Sequence, residues 1–422
     1  MLEQSIRAWN PWWVEKMSSE LIGIPRDVIQ ELINSLNTPH IKDIIGVRRC
    51  GKTTLLYQLA DYLISSGITP KNIIFLNFDD PSINVSSFEE IQKEIFKINP
   101  EITHLFLDEI QQKKEWERWV RMLYDTKKFV RIFISGSSAS LLSEDISRVL
   151  TGRHITFMAA PFSFKEYLSK RGWTDFRSES IMFKKDKILH YLTAFLEGGG
   201  FPEAIGVDDF ARKQILTNLY NDILARDISS RYGASYDIVN NIARFMLTNL
   251  GSPYSINSVA KATNIAVETS EKYIGYLKEA LLIYDIPKLG IQFKQNKKAY
   301  PVDTGIRNTV CFRFSPDSGK LAEAAVFLEL KRRNPEVYYW KNSGGYEVDF
   351  VIKEQQKIAL LIQVVWNIMD EATRKREENS LIRAMDEFNL SKGLILTEDN
   401  EEIIEKEGKT IEYIPLWKWL LL

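Results

Sequence analysis

The sequence predicts an α/β protein in which a parallel-sheet core precedes a largely helical region and a C-terminal α/β domain. In the first part, four short runs rich in β-branched and aromatic residues alternate with helical patterns, as in a parallel sheet. These runs are Ile41–Ile45, Ile73–Asn77, Thr103–Leu107 and Val130–Ile134. Helical patterns then extend from about Phe164 to Ala280, and short strands resume at Val337. The last part is predicted to contain strands Val337–Trp340, Glu347–Ile352, Ile358–Val365 and Gly393–Thr397, and a helix Asp370–Phe388.

The composition is that of an ordinary globular protein and excludes several classes. Of 422 residues, 45% are hydrophobic and 26% are charged, and the net charge is −1. This balance excludes a globally basic nucleic-acid binder but not a local basic face. Two cysteines and four histidines do not favour a disulfide scaffold or a zinc site, so a cytoplasmic protein is expected. No secretory signal and no membrane span is expected, because no apolar stretch approaches about 18 residues.

A phosphate-binding loop follows the first predicted strand. Residues Gly46–Thr53 fit the pattern G-x-x-x-x-G-K-[ST] and open a predicted helix, Thr53–Leu63. Backbone N–H groups and the helix N-terminus would face the phosphates, Lys52 would contact the β- and γ-phosphates, and Thr53 would bind Mg²⁺. The expected nucleotide contacts are Gly46, Arg48, Arg49, Cys50, Gly51, Lys52, Thr53 and Thr54.

Acidic and polar residues at two later strand ends complete the predicted site. Asp108 would hold Mg²⁺ through water, and Glu109 would polarise the attacking water as general base. At the next strand end, Ser135, Ser137 or Ser138 contacts the γ-phosphate or its water, or instead caps the following helix. Arg148 and Arg153 are each an arginine finger, acting in cis or from a neighbouring subunit, or a surface salt bridge.

The motifs GVRRCGKTT, LFLDEIQ, ISGSSASLL, LTGR and GGGFPEA occur in this order. Together they resemble the prokaryotic AAA+ ATPases related to the signalling (STAND) branch. The resemblance implies a winged helix and a C-terminal domain of unknown function with a restriction-endonuclease-like fold. It also implies that Gly200 and Pro202 form a lid near the nucleotide, whereas composition alone indicates a glycine hinge. The expected domains are an AAA+ core (1–165), a helical lid (166–235), a winged helix (236–300) and the nuclease-like domain (301–422).

The predicted winged helix carries a local excess of positive charge. A helix-turn-helix is expected between Tyr254 and Leu277, with Asn264 in the turn and a wing strand after it. Between Arg244 and Lys298 the net charge is +4. Lys294, Lys297 and Lys298 are expected at a wing tip, where they contact DNA phosphates or form a solvated loop.

The C-terminal domain departs from a working nuclease pattern. Asp349 and Glu323 are candidate acidic ligands for Mg²⁺, but Gln363 and Val365 occupy the positions of the usual acidic and lysine residues. Lys341 is a candidate substitute for the lysine. A degenerate fold, kept for docking DNA or protein, is therefore expected.

These features predict an ATP-binding, Mg²⁺-dependent ATP-hydrolysing switch. The expected cofactors are ATP and Mg²⁺. The expected partners are double-stranded DNA through the winged helix, a protein, or further copies of the chain, and no membrane. The alternatives are an ATP-dependent nuclease that uses Asp349 and Glu323, and a nucleotide-binding scaffold with negligible turnover. A small-molecule kinase is the weakest alternative.

Overall fold

The computed structural model describes residues 1–137, 149–290, 296–312, 317–333 and 336–422. The chain divides into two compact units. The first comprises Met1–Pro161 together with Glu279–Leu281, and the second comprises the other residues from Phe162 to Leu422. The finer division into four domains stays a prediction. In the described part of the chain, no helix combines the length and apolar character that crossing a membrane demands.

A parallel sheet forms the centre of the first unit, as predicted. Its strands are β1 (Ile41–Gly46), β2 (Ile73–Asn77), β3 (His104–Asp108), β4 (Arg131–Ser137) and β5 (His154–Met158). They are arranged in the order β2-β3-β4-β1-β5, and all neighbours are parallel. Every residue of β1, β2 and β3 is buried, so both faces of the sheet are covered at these strands.

Helices surround this sheet. They are α1 (Leu2–Ala8), α2 (Ser19–Ile22), α3 (Ile29–Asn34), α4 (Lys52–Ser65), α5 (Pro81–Val85), α6 (Phe88–Ile98) and α7 (Trp116–Asp125). The α6 helix begins with a capping box, in which Ser87 and Glu90 satisfy each other's backbone N–H groups. The apolar faces of α6 and α7 supply Ile91, Ile95, Val120 and Leu123 to the core.

The N-terminal segment covers the free edge of β2. Asn10 donates from Nδ2 to the Phe75 carbonyl (2.8 Å) and accepts at Oδ1 from the Phe75 amide (2.7 Å). Trp13 Nε1 donates to the Ile73 carbonyl (2.9 Å). These side chains satisfy edge groups that would otherwise be exposed for pairing with another strand.

The second unit begins with helices. They are α8 (Phe164–Lys170), α9 (Ser178–Phe183), α10 (Lys185–Gly198), α11 (Asp209–Asp222), a π-helical stretch (Ile223–Ser230), and α12 (Tyr236–Thr248). Between α10 and α11 lies the glycine-rich segment, where Gly200 N donates to Asp303 Oδ2 (2.6 Å) and Phe162 N donates to the Gly200 carbonyl (2.8 Å). A Cβ at Gly200 would lie 2.4 Å from the Phe162 carbonyl oxygen, so the glycine is required by packing.

Two helices and a small antiparallel sheet follow. The helices are α13 (Ile256–Thr263) and α14 (Val267–Glu279), and Asn264 between them has the left-handed conformation expected for the turn (φ 53°). The strands β6 (Pro253–Tyr254), β7 (Ile283–Pro287) and β8 (Lys297–Pro301) are arranged in the order β6-β8-β7.

The structure contradicts the predicted role of Lys298 at a wing tip. Lys298 is 2% exposed and pairs with three carboxylates, because its position on β8 directs it inward, away from any DNA backbone. Lys297 pairs with Asp285 (3.3 Å), which also pairs with Lys278 (2.8 Å). Lys294 lies outside the described residues.

A six-stranded sheet completes the second unit. Its strands are β9 (Val337–Lys341), β10 (Glu347–Glu354), β11 (Lys357–Val364), β12 (Lys392–Thr397), β13 (Glu402–Lys406) and β14 (Lys409–Pro415). They are arranged in the order β13-β14-β12-β11-β10-β9, with β11, β12 and β14 parallel. The accompanying helices are α15 (Thr304–Val310), α16 (Ser318–Arg333), α17 (Glu371–Glu387) and α18 (Leu416–Leu421).

Candidate nucleotide site

The loop Gly46–Thr53 joins the carboxyl end of β1 to the start of α4, as the sequence predicts. Arg49 (φ 62°) and Gly51 (φ 99°) both adopt left-handed conformations, which curl the backbone in front of the helix N-terminus. A Cβ at Gly46 would lie 2.2 Å from the Ala159 carbonyl oxygen and 2.7 Å from Cys50 Sγ, so the loop is held close to the chain after β5. This geometry suits phosphate oxygens in front of α4.

Lys52 is positioned by the loop itself. Its side chain is 5% exposed, and Nζ lies 3.2 Å from the Gly46 carbonyl and 3.4 Å from the Val47 carbonyl. Glu109 Oε1 lies 3.7 Å from the same ammonium. The ammonium therefore lies between the phosphate loop and the acidic residue after β3, where it can serve an anionic ligand.

Asp108 is the centre of a hydrogen-bond network at the end of β3. Thr53 Oγ1 donates to Asp108 Oδ2 (2.8 Å), and Asn77 Nδ2 donates to the same oxygen (3.2 Å). The Ser135 hydroxyl donates to Asp108 Oδ1. Burial and the nearby Glu109 charge raise the pKa of Asp108 to about 6, and the bonds from Ser135 and Thr53 limit that rise. Asp108 and Thr53, the two predicted metal-binding residues, are thus brought together.

Glu109 is oriented for a different role. It takes a left-handed conformation (φ 50°), and its backbone N–H donates to Ser135 Oγ (3.3 Å). Gln111 Nε2 donates to Glu109 Oε2 at 2.5 Å. The Glu109 side chain is 19% exposed, whereas Asp108 is fully buried. Glu109 is therefore the member of the acidic pair that can reach a water molecule.

Arg26 supports the loop, a role that the sequence did not predict. The guanidinium is almost fully buried, and it donates to the Cys50 carbonyl (2.8 Å) and to the Ala160 carbonyl (2.6 Å). It lies directly beneath the loop, because a Cβ at Gly51 would come within 2.9 Å of Arg26 Nη1. Arg26 is also fixed by Gln58, which accepts from the Arg26 amide (3.2 Å). No local sequence signal marks this role, since Arg26 precedes the motif by twenty residues.

Asn77 and Asp79 at the end of β2 also belong to the site, and both were missed. Asn77 joins Asp108 as described, and its Oδ1 accepts from the Asp79 amide (2.8 Å). Burial and the charge of Glu109 raise the pKa of Asp79. The carboxyl ends of adjacent parallel strands meet at one edge of a sheet, and this rule could have identified both residues.

The structure bears on two expectations. Ser135 is fully buried and its hydroxyl donates to Asp108, so it orients that carboxylate, and its contact with a phosphate or water stays a prediction. Arg153 precedes β5 and donates to Asp125 Oδ1 (2.8 Å). It lies at the amino end of the parallel strands, where its carbonyl accepts from Ile41 N. The phosphate loop lies at the opposite end of β1, about 17 Å away along six residues. A cis arginine finger at Arg153 is therefore wrong.

The other predicted site residues have varied outcomes. Ser137 ends β4, whereas Ser138 and Arg148 lie outside the described residues. Cys50 is buried, and its thiol donates to the Ala159 carbonyl (3.2 Å). Pro202 begins a short 3₁₀ helix of the second unit, and its role as a lid stays a prediction. The roles of Arg48, Arg49 and Thr54 as nucleotide contacts, and of Arg153 in trans, also stay predictions.

The residues at this site fit a nucleoside triphosphate and its magnesium ion. The left-handed conformations of Arg49 and Gly51 curl the loop in front of α4, and a loop of this kind presents backbone N–H groups to phosphate oxygens. The Thr53 hydroxyl and the Asp108 carboxylate are joined by a hydrogen bond, and both are oxygen ligands of the type that Mg²⁺ prefers.

Comparisons with known families match three parts of the chain. A family described as an AAA domain matches residues 38–168, which include the phosphate loop. Two families described as domains of unknown function match later parts, DUF8612 over residues 189–317 and DUF4143 over residues 318–419.

Full-length relatives also exist. The uncharacterized protein MJ1544 of Methanocaldococcus jannaschii is 33% identical over 420 residues, covering 94% of this chain and 91% of the relative. An uncharacterized protein of Haemophilus influenzae is 30% identical over 422 residues, covering 96% of this chain and all of the relative. Among solved structures, the Aeropyrum pernix Orc1 protein in complex with DNA has a TM-score of 0.31 at 10% identity, covering 72% of this chain and 95% of that chain. That likeness is too weak to indicate what this chain binds.

Proposed function

Because the chain belongs to the AAA+ family of P-loop ATPases, we propose that it binds ATP with Mg²⁺ and hydrolyses it as a molecular switch. The observation that carries this proposal is the contact between Thr53 Oγ1 and Asp108 Oδ2 (2.8 Å), with Lys52 and Glu109 beside it. A phosphate loop alone supports nucleotide binding. The addition of a metal-binding pair and a separate, more exposed carboxylate supports hydrolysis.

Each residue of the site has a distinct task in this reaction. The backbone of the loop and Lys52 bind the β- and γ-phosphates, and Arg26 keeps the loop in its curled conformation. Thr53 and Asp108 hold Mg²⁺, which when bound neutralises charge on the phosphate oxygens. Glu109 accepts a proton from water as that oxygen attacks the γ-phosphorus, and Gln111 keeps the carboxylate in position. The bond between the γ-phosphorus and the β–γ bridging oxygen breaks, the electron pair stays on that oxygen of ADP, and Glu109 releases its proton to solvent as ADP and phosphate leave.

The switch needs a partner, and DNA bound through the helix pair α13–α14 is one candidate. The left-handed Asn264 between these helices and the exposed Lys261 and Lys272 support a winged helix that contacts phosphates. The paired state of Lys297 and the burial of Lys298 count against a basic wing. A protein partner, or further copies of the chain with an arginine in trans, are the other candidates.

The first experiment measures ATP hydrolysis with Mg²⁺ by the full-length protein, together with binding of a fluorescent ATP analogue. We expect Lys52→Ala to lose nucleotide binding and Glu109→Gln to bind ATP without turning it over. Glu115→Gln, whose side chain is largely exposed, is the matched control and should behave as the wild type. Equal turnover in Glu109→Gln would remove Glu109 from its role. Binding without turnover in the wild type would support a scaffold instead.

A second arm adds double-stranded DNA to the same assay. Stimulation that disappears in Lys261→Ala or Lys272→Ala, and that weakens as salt is raised, would support DNA as the partner. Turnover that is indifferent to DNA at low salt would direct the search to a protein.

A further inference from the structure

A buried ionic cluster lies where the six-stranded sheet meets β8 in the second unit. Lys298 Nζ lies 2.8 Å from Glu347 Oε1, 3.2 Å from Asp349 Oδ1 and 3.2 Å from Glu323 Oε1. Glu347 and Asp349 lie on β10, and Glu323 lies on α16. One ammonium therefore occupies the point at which three carboxylates converge.

Parts of the small antiparallel sheet cover this cluster. Lys298 comes from β8, its side chain is 3% exposed, and its ammonium lies 5.5 Å from the centre of the Tyr339 ring. Tyr300, two residues along β8, donates from its hydroxyl to Glu323 Oε1 (2.6 Å). A Cβ at Gly251 would lie 2.9 Å from Glu323 Oε2, so backbone packs against that carboxylate as well.

The second oxygens of Asp349 and Glu347 also have partners in the protein. Asp349 Oδ2 accepts from Val364 N (3.1 Å), and Glu347 Oε2 accepts from Lys341 Nζ (2.8 Å). Three carboxylates thus face two ammonium groups. Burial and the charge of Asp349 raise the pKa of Glu323. The charge of the cluster is therefore compensated mainly by groups of the chain itself.

A metal-dependent nuclease would need these same carboxylates as ligands for Mg²⁺. The residues do not fit that use here, because the lysine ammonium stands where the ion would have to bind. Gln363 does not add a ligand, since its amide donates to Glu377 (2.6 Å) and accepts from the Asp349 backbone (3.2 Å).

We propose that Glu323, Glu347 and Asp349 form a cation site whose resident cation is Lys298 of the same chain. The C-terminal sheet then binds no divalent metal at this position and performs no metal-dependent cleavage. The ionic cluster instead fastens β8 to β10 and α16, and it fixes the small sheet against the large one. This inference is independent of the proposed ATPase activity.

The test measures Mn²⁺ binding by electron paramagnetic resonance in the full-length protein without nucleotide. We expect the wild type and Asp349→Asn to bind equally little Mn²⁺. Lys298→Gln should gain a Mn²⁺ site, which Lys298→Gln combined with Asp349→Asn should lose. Lys298→Arg, which keeps the charge, should gain no site. The proposal would be overturned if the wild type bound Mn²⁺, or cut DNA with Mg²⁺, and Asp349→Asn removed that activity. It would also be overturned if Lys298→Gln folded but gained no Mn²⁺ site.

A measurement on the wild type alone keeps the proposal testable if Lys298→Gln does not fold. Lysine acetylation followed by mass spectrometry should modify the exposed Lys357 on β11 rapidly, and Lys298 at least a hundredfold more slowly. Addition of Mn²⁺ should not change the rate at Lys298. Rapid labelling of Lys298, or acceleration by Mn²⁺, would show that the ammonium leaves the cluster and would refute its role as the resident cation.

Discussion

Removal of the Arg26 guanidinium should weaken nucleotide binding although Arg26 is not itself part of the phosphate-loop motif. Its two donors hold the carbonyls of Cys50, within the loop, and Ala160, beyond β5. Arg26→Ala would leave both carbonyls without these charged donors at a nearly closed site. Arg26→Lys would keep the positive charge but lose the planar fork that spans both carbonyls.

The size of the effect follows from these two contacts. A hydrogen bond from a charged group contributes about 1.5–3 kcal/mol. Because the two bonds share one side chain and the loop relaxes in part, a total loss of about 3 kcal/mol is a reasonable sum. Part of it lowers the stability of the first unit, and the rest appears as the cost of ordering the loop around phosphate. If about 1.4–2.8 kcal/mol falls on binding, the Kd for ATP rises about tenfold to a hundredfold.

The assay is titration with a fluorescent ATP analogue, accompanied by a thermal melt of each variant. Arg26→Lys should lie between the wild type and Arg26→Ala. Arg7→Ala is the matched control, since that arginine is exposed and pairs with Glu3 on the same helix. A folded Arg26→Ala protein with a Kd within about twofold of the wild type would show that the loop keeps its conformation without the clamp.

Two further predictions concern protonation and packing. Because the pKa of Asp108 is raised to about 6, Mg²⁺-dependent nucleotide binding should strengthen as the pH rises through about 6, and Asp108→Asn should remove that step from a titration series at pH 5–8. The stability of the nucleotide-free protein should change in the opposite direction with pH. A raised carboxyl pKa favours the native state at low pH, and this contribution to the free energy of unfolding is lost as the pH rises through about 6. Gly200→Ala should lower the melting temperature of the second unit, with a cost of at least about 2 kcal/mol, because its Cβ would meet the Phe162 carbonyl at 2.4 Å. Gly275→Ala on α14, where a Cβ meets nothing within 4 Å, should be neutral or stabilising, and equal melting of both variants would contradict the packing argument.

The sequence predicted the strands in which most residues are apolar. The four runs of the first sheet match β1 to β4 within a few residues, although Lys42 and Asp43 interrupt the apolar run of β1. It did not predict β5, which is partly exposed, or the hairpin of β13 and β14, in which glutamates and lysines are mixed with apolar residues. In that hairpin the solvent-facing charges interrupt the apolar signal, and β13 is the edge strand of its sheet.

The candidate site was predicted as far as it depends on local spacing. The phosphate loop and the acidic pair each lie within a few residues of a strand end, so a motif can identify them. Arg26, Asn77 and Lys298 are brought to their partners by tertiary packing across 24 to 134 residues of sequence. The wrong prediction of a cis arginine finger at Arg153 has a similar origin, since a motif gives proximity in sequence but not the end of the strand at which a residue lies.

The acidic pair at the phosphate loop and the carboxylate cluster around Lys298 show how a charged partner determines whether carboxylates can bind a metal ion. At the phosphate loop, Asp108 receives neutral donors from Thr53 and Asn77, and Lys52 lies 3.7 Å from Glu109 without a closer ion pair between them. Burial and the charge of Glu109 raise the pKa of Asp108, because the protein compensates the charge of this carboxylate only in part. Binding a cation therefore stabilises the ionised Asp108. In the C-terminal sheet the Lys298 ammonium lies within 3.2 Å of all three carboxylates. This ion pairing already stabilises their negative charges within the folded chain, so a metal ion would add little. Acidic residues at strand ends therefore predict a metal site less well where, as at Lys298, a lysine ammonium of the same fold contacts each carboxylate within 3.2 Å.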